Sequence, residues 1–140
     1  MKKTVRILNI AMLCVICALS LVSCSGGIKR DEAKAFISEF LEAVESGDFE
    51  KAGTYQHPER GADLESFFLS IEEAEGIDFQ AGIEIEKYTN FSSALYDTTV
   101  GGSTYELTMR TKVGDNTVKF MIELVKNEHG YGIYNLDIDT

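Results

Sequence analysis

Thiols, imidazoles and nucleotide-binding glycine patterns are scarce in this 140-residue chain, and each scarcity removes a class of function. The three cysteines are Cys14, Cys17 and Cys24. Cys14-x-x-Cys17 has redox-pair spacing, but both thiols lie within one apolar run. No cysteine follows Cys24, so the rest of the chain must rely on its core rather than on disulfides. The two histidines, His57 and His129, lack the i, i+4 spacing of a helical zinc pair, and both are expected to be exposed in loops. The acidic stretch "EEAEGID" at residues 72–78 lacks the alternating ligands of a calcium loop. Nucleophile elbows, Walker-type glycines and dinucleotide fingerprints are absent. On these grounds no catalytic residue, metal ligand or cofactor is assigned.

Basic residues are also few, 13 against 23 acidic ones. Three of them, Lys2, Lys3 and Arg6, open the chain and precede an apolar stretch at residues 7–22, broken only by Asn9 and Ser20. A basic start followed by an apolar run is the layout of a secretory signal peptide. The run falls short of the roughly 20 apolar residues that span a bilayer, and no basic stop-transfer cluster follows it.

Directly after it, Leu21-Val22-Ser23-Cys24 resembles the lipobox of bacterial lipoproteins: an aliphatic residue, a tolerant position, a small residue, then the cysteine. The resemblance implies signal cleavage between Ser23 and Cys24, with the Cys24 sulfur taking a diacylglyceryl group. Leu13 and Ile16 are too bulky to serve Cys14 or Cys17 in the same way. Two or three acyl chains, each methylene worth about 0.8 kcal/mol on burial, anchor stably where a single chain does not.

The expected organisation is a signal peptide at 1–23, a lipidated tether at 24–30 and one domain at 31–140. The membrane would be a partner through the lipid anchor, with the domain on its extracytoplasmic face. The final address is the cell membrane, or an outer membrane where the envelope has two. Removing Lys2, Lys3 and Arg6 leaves 10 basic and 23 acidic residues, a net charge of −13. Such a surface repels phosphate backbones and anionic head groups, which excludes nucleic acid as a partner and argues against a domain lying flat on the bilayer.

The domain begins with helical periodicity. Ala33, Phe36, Ile37, Phe40, Leu41 and Val44 recur at steps of three and four, with Asp31 as the expected N-cap and Gly47 just past the end. Asp48 is placed to cap a second helix, "DFEKAGTYQ", closed by His57-Pro58. A third helix runs from about Asp63 to near Gly76, with Leu64, Phe67, Phe68 and Ile71 in one stripe. Its last turn carries Glu72, Glu73 and Glu75 against the helix dipole and is expected to fray.

From residue 83 the period changes to two. Strands are expected at 83–89 and 91–99, then after Gly101-Gly102 in "STYELTMRTKV", after Gly114-Asp115-Asn116 in "TVKFMIELVK", and after a turn near 128–130 in "YGIYNLDI". Met121 and Val125 oppose the face of Val118, Phe120, Ile122 and Leu124. That marks a central strand with a cover on its second side. Helices first and antiparallel strands after them give an α+β fold.

The opening "DEAKAFISEFLEAVESGDFEKAGTYQHPE" and the closing "GYGIYNLDI" resemble the nuclear transport factor 2-like, or cystatin-like, superfamily, and are closest to its small bacterial lipoproteins. The resemblance spans about Asp31 to Asp139 and implies a cone in which N-terminal helices pack on a curved antiparallel sheet. Many members bind small ligands in the cone, some are enzymes, and many pair through the outer sheet face. No segment matches the polar signature of the enzymes. The candidate pocket lining is Phe36, Phe40, Tyr55, Phe67, Phe68, Tyr105 and Met109, for a small apolar ligand. A candidate interface for a homodimer or a protein partner is Met121, Val125 and Ile133. A third reading, an enzyme with an unrecognised acid or base in the cone, would require a buried carboxylate without a cationic partner.

Overall fold

The computed structural model describes residues 27–140. The expected signal peptide, its expected Ser23/Cys24 cleavage junction and the first residues of the expected tether lie outside the described residues. Three α-helices precede four strands: α1 Arg30–Glu45, α2 Phe49–Gly53, α3 Leu64–Glu75, β1 Ile83–Asp97, β2 Gly102–Val113, β3 Asn116–Asn127 and β4 Gly130–Asp139. The strands form one open antiparallel sheet in the order β1-β2-β3-β4. The helices pack on one side of that sheet, which makes the fold α+β. No helix of the described residues is long and apolar enough to cross a membrane.

Helix α1 buries Ala33, Ile37, Phe40, Leu41 and Val44, the stripe that the sequence period marks. It starts two residues earlier than expected, with Lys29 rather than Asp31 at the N-cap and no side-chain cap bond. Asp31 instead sits in the first turn, where the amide dipoles favour an anion. At the other end Gly47 takes φ 71°, and Asp48 N–H donates to the Ala43 carbonyl at 2.9 Å. Asp48 then caps α2 through Lys51 N–H, and Asp63 caps α3 through Ser66 N–H, both at 3.0 Å. Helix α2 is shorter than the sequence suggests, ending at Gly53. The acidic end of α3 is tied down by Glu72, whose carboxylate accepts from Phe79 N–H at 3.1 Å.

The segment expected to hold two strands is one strand, β1, without a break at Asn90. Register shifts fall at Ile85/Lys87, Tyr88/Asn90 and Ala94/Asp97, and each is an irregularity that inserts chain on the β1 side. Its partly covered positions are therefore spaced by three: Ile85, Tyr88, Phe91 and Ala94. A pure two-residue alternation cannot describe such a strand. β1 is also an edge, and bulges of this kind discourage pairing with another chain.

Helix α1 runs antiparallel to β1. The Arg30 guanidinium lies 3.4 Å from the Phe91 ring centre, the Lys34 ammonium 4.3 Å from that of Tyr88, and the Glu45 carboxylate accepts from Ile83 N–H at 2.9 Å. Facing rows of β2 and β3, paired Leu107 with Ile122 and Met109 with Phe120, close the core beneath the helices. Phe68 sits at its centre, with ring centres of Phe79, Phe67, Phe49 and Phe40 at 4.9, 5.3, 6.0 and 6.5 Å. Full burial of a ring, as at Phe40, Phe68 and Phe79, contributes about 1.5–3 kcal/mol.

Candidate functional site

The chain between α2 and α3 builds one wall of the candidate site. His57 N–H donates to the Ile133 carbonyl and Ile133 N–H to the Tyr55 carbonyl, both at 2.8 Å, so residues 55–57 add a short parallel contact to β4. The approach is close because β4 has a glycine there: a Cβ on Gly132 would lie 2.6 Å from His57 N. The loop then turns through Pro58–Arg60, and Gln56 Oε1 accepts from Ala62 N–H at 3.2 Å.

Between this loop, the start of α3 and β4 lies a cleft of about 460 Å³. Its apolar surface comes from Phe40, Leu64, Phe67, Ile133 and Leu136, and its polar groups are Gln56, Glu59, Arg60 and Asn135. The Arg60 guanidinium lies 4.4 Å from the Tyr134 ring centre, fixing a cation at the rim. A second cleft, of about 390 Å³, lies between residues 27–28, α1 and the β3–β4 end, lined by Ile28, Glu32, Ala35, Phe36, Lys126 and Tyr131. Burial, followed by the negative charge of Glu32, pushes the Tyr131 phenol up to about 12.

The sequence-derived pocket residues are thus divided. Phe40 and Phe67 line the larger cleft and Phe36 the smaller one. Tyr55 stands between Phe36 and Phe40, 5.0 and 6.4 Å from their ring centres. Its hydroxyl donates to Glu39 at 3.1 Å, and burial together with that bond and the charges of Glu39 and Glu42 holds its phenol above the ordinary range. Phe68, Tyr105 and Met109 line neither cleft; they are packed in the core. Phe68 packs on Phe79 at 4.9 Å and Phe79 on Phe120 of β3 at 6.2 Å, which fills the space between α3 and the sheet.

The candidate interface also changes. Ile133 faces the helices and belongs to the main core, and Val125 is fully buried apart from that cluster. β4 carries an extra residue, Tyr134, between Ile133 opposite Leu124 and Asn135 opposite Glu123, and this turns Ile133 to the inner face; β3 keeps its alternation, so Val125 is buried on the face opposite Leu124. Met121 alone is half-exposed, and its outer-face surroundings are Thr108 and Asp137 in register, with Glu123 and Asn135 beyond them.

His57 corrects the expectation of an exposed loop histidine, since it is fully buried. Its Nδ1 accepts from Glu59 N–H at 3.2 Å, which leaves the proton on Nε2, 3.0 Å from Asn127 Oδ1 and 3.2 Å from the Gly130 carbonyl. The ring also meets Tyr134 edge-on at 5.4 Å. Every ring nitrogen is used, so His57 holds the cleft wall in place. His129 is exposed, as its turn predicts, 3.7 Å from Glu59.

The sequence gives no direct signal for Gln56, Arg60, Tyr134 or Asn135 as cleft residues. They meet only because the 55–57 segment is seated on β4. No Asp or Glu among the described residues is buried, and none of the described residues forms a group of three or more metal-ligating side chains. Comparison with protein-family models, curated proteins and solved structures gives no match to this chain.

Proposed function

We propose that this chain is the precursor of a lipoprotein, exported and held on the extracytoplasmic face of a membrane through Cys24, whose domain has the nuclear transport factor 2-like cone and binds a small ligand without transforming it. The observation that carries the binding role is the cleft between β4, α3 and residues 56–62. Phe67, Ile133 and Leu136 beside Gln56, Glu59, Arg60 and Asn135 give it a mixed lining, a composition that suits an amphipathic small molecule. Its shape and lining suit a mainly apolar ligand with one polar or anionic end, the ring or chain against Phe40, Phe67 and Leu136 and the polar end toward Arg60.

The reading assigns no reaction to this cleft. Glu59, its carboxylate, is exposed and already accepts from the Asn127 amide at 2.9 Å. It therefore lacks the desolvated setting in which a carboxyl becomes a useful acid or base.

Two measurements test the proposal separately. Mass spectrometry of the intact protein from membranes should show loss of residues 1–23 and acyl groups on Cys24; a Cys24→Ala variant that stays in the membrane with its signal peptide cleaved would overturn the anchoring role. Because the chain has no tryptophan, Phe67→Trp supplies a single reporter in the cleft. Native mass spectrometry of protein from its host should show a bound species whose removal shifts that emission. A bare mass, with emission unchanged across a panel of amphipathic small molecules, would refute ligand binding there.

A further inference from the structure

Of the three large apolar side chains exposed among the described residues, Leu69 stands alone on α3, and the two most exposed are neighbours where the tether meets the domain. Leu95 is 79% exposed and Tyr96 67% exposed, adjacent residues at the end of β1 that lead into the β1–β2 turn. Gly27 packs against this tip, since a Cβ placed on it would lie 3.0 Å from Leu95 Cδ2. The antiparallel course of α1 along β1, pinned by Arg30 on Phe91 and Lys34 on Tyr88, holds the start of the helix at the same end. The tip itself is braced, with Ser103 Oγ donating to the Leu95 carbonyl at 2.8 Å and Asp97 accepting from Thr99 N–H at 2.7 Å.

Cys24 precedes Gly27 by three residues, which reach at most about 10 Å when fully extended. A diacylglyceryl group on Cys24 lies with its glycerol among lipid head groups, so Gly27 and the Leu95 side chain beside it lie within about 10 Å of that layer. A leucine gains by entering the acyl boundary, and a tyrosine suits the interface, where its ring is covered and its hydroxyl stays wet. Charge at this end is mixed, with Lys29, Arg30 and Lys126 beside Asp31, Glu32, Asp97 and Glu128, so the contact rests on the two apolar side chains rather than on attraction to head groups.

We propose that the Leu95–Tyr96 tip of the β1–β2 hairpin docks end-on onto the bilayer that holds Cys24, so that the lipid anchor and the tip together fix the orientation of the domain. The proposal rests on the lipoprotein reading above. The anchor supplies the affinity and the tip supplies a second contact that stops the domain from swivelling on its tether. The cleft between residues 27–28, α1 and Tyr131 then opens close to the membrane surface.

Lipid-borne quenching tests this on the full chain, processed and acylated in a bacterial host and reconstituted in phosphatidylethanolamine and phosphatidylglycerol vesicles containing a head-group nitroxide lipid. Cys24 is acylated and Cys14 and Cys17 leave with the signal peptide, so Leu95→Cys, Tyr96→Cys and Asp115→Cys each offer one thiol for a fluorophore. Asp115 is exposed in the β2–β3 turn at the opposite end of the sheet. The labels at positions 95 and 96 should lose most of their emission, and the label at 115 should keep it. Equal emission at all three sites on a protein whose mass shows acylation overturns tip docking and leaves the lipoprotein reading intact. A protein whose mass shows no acyl group overturns both.

Discussion

His57 Nε2 and Asn127 Oδ1 lie 3.0 Å apart although seventy positions separate them, and this contact fastens the α2–α3 loop to the β3–β4 turn. Asn127 is a junction: its Oδ1 also accepts from His129 N–H, and its amide donates to Glu59 and to the Val100 carbonyl, each at 2.9 Å. His57→Ala removes the partner of Glu59 N–H and of the Gly130 carbonyl and leaves a void beside Tyr134. A loss of about 2–4 kcal/mol is expected in urea denaturation. His57→Gln restores one donor and should recover part of it. A wild-type midpoint for His57→Ala would mean that the network contributes nothing to folding.

Gly132→Ala strikes the same junction from the sheet side. The new methyl would sit 2.6 Å from His57 N and 2.8 Å from the Gln56 carbonyl oxygen, both backbone atoms that cannot rotate away. The parallel contact between residues 55–57 and β4 has to open, at a cost of about 1–3 kcal/mol. Amide exchange should rise at His57 and Ile133 before it rises in β2. Unchanged protection at both amides would show that the loop is not held by this contact.

Phe68 and Phe67 are neighbours in sequence with different expected costs. Phe68→Ala empties the centre of the aromatic cluster and should cost about 3–5 kcal/mol. Phe67 is half-buried on the cleft wall, so Phe67→Ala should cost about 1–2 kcal/mol while changing ligand retention. Equal losses for the two would place Phe67 in the core and remove it from the site.

The helices were legible because their signals are local. The three- and four-residue apolar steps of α1, the Asp48 and Asp63 caps and the Gly47 and Gly76 ends all act within a turn or two of chain. The hairpin turns at Gly101 and at Gly114-Asp115 were legible for the same reason. The bulges of β1 and β4 were not, because they answer to partner strands rather than to their own sequence. That is why one strand reads as two and why Ile133 reads as an outer-face residue, while Val125 lies on the outer face but is buried there. The cleft was the least legible feature. Its Phe40 and Phe67 follow from helix periodicity, but Gln56, Arg60 and Asn135 depend on where a loop lands, and the burial of His57 depends on a partner seventy positions away.

Met121 is the part of the expected interface that remains accessible. Its outer-face neighbours are polar or charged, including Glu106, Arg110, Lys119, Glu123 and Asp137, a composition unlike the apolar centre of a stable homodimer. Met121→Glu should therefore leave the solution mass unchanged and shift stability by less than about 1 kcal/mol. A wild-type protein that sediments as a dimer, and a variant that sediments as a monomer, would return the outer face to consideration as a partner surface.

Tyr131 gives the domain a pH response at the alkaline end. Its phenol ordinarily ionises at 10.0 and is pushed up to about 12 by burial and by Glu32, so the folded state holds the proton longer than the unfolded chain does. Its contribution to stability is fully present below pH 10. As pH rises from 10 toward 12, the unfolded chain releases this proton while the folded chain keeps it, and the contribution is lost. An ultraviolet difference titration of wild type against Tyr131→Phe should isolate one phenol with its midpoint near 12. Glu32→Gln removes the like charge and should move that midpoint down, though not fully, since burial is the larger cause. A difference midpoint at 10 would mean that the Tyr131 hydroxyl stands in water rather than being shielded beside Phe36, whose ring centre lies 4.7 Å away.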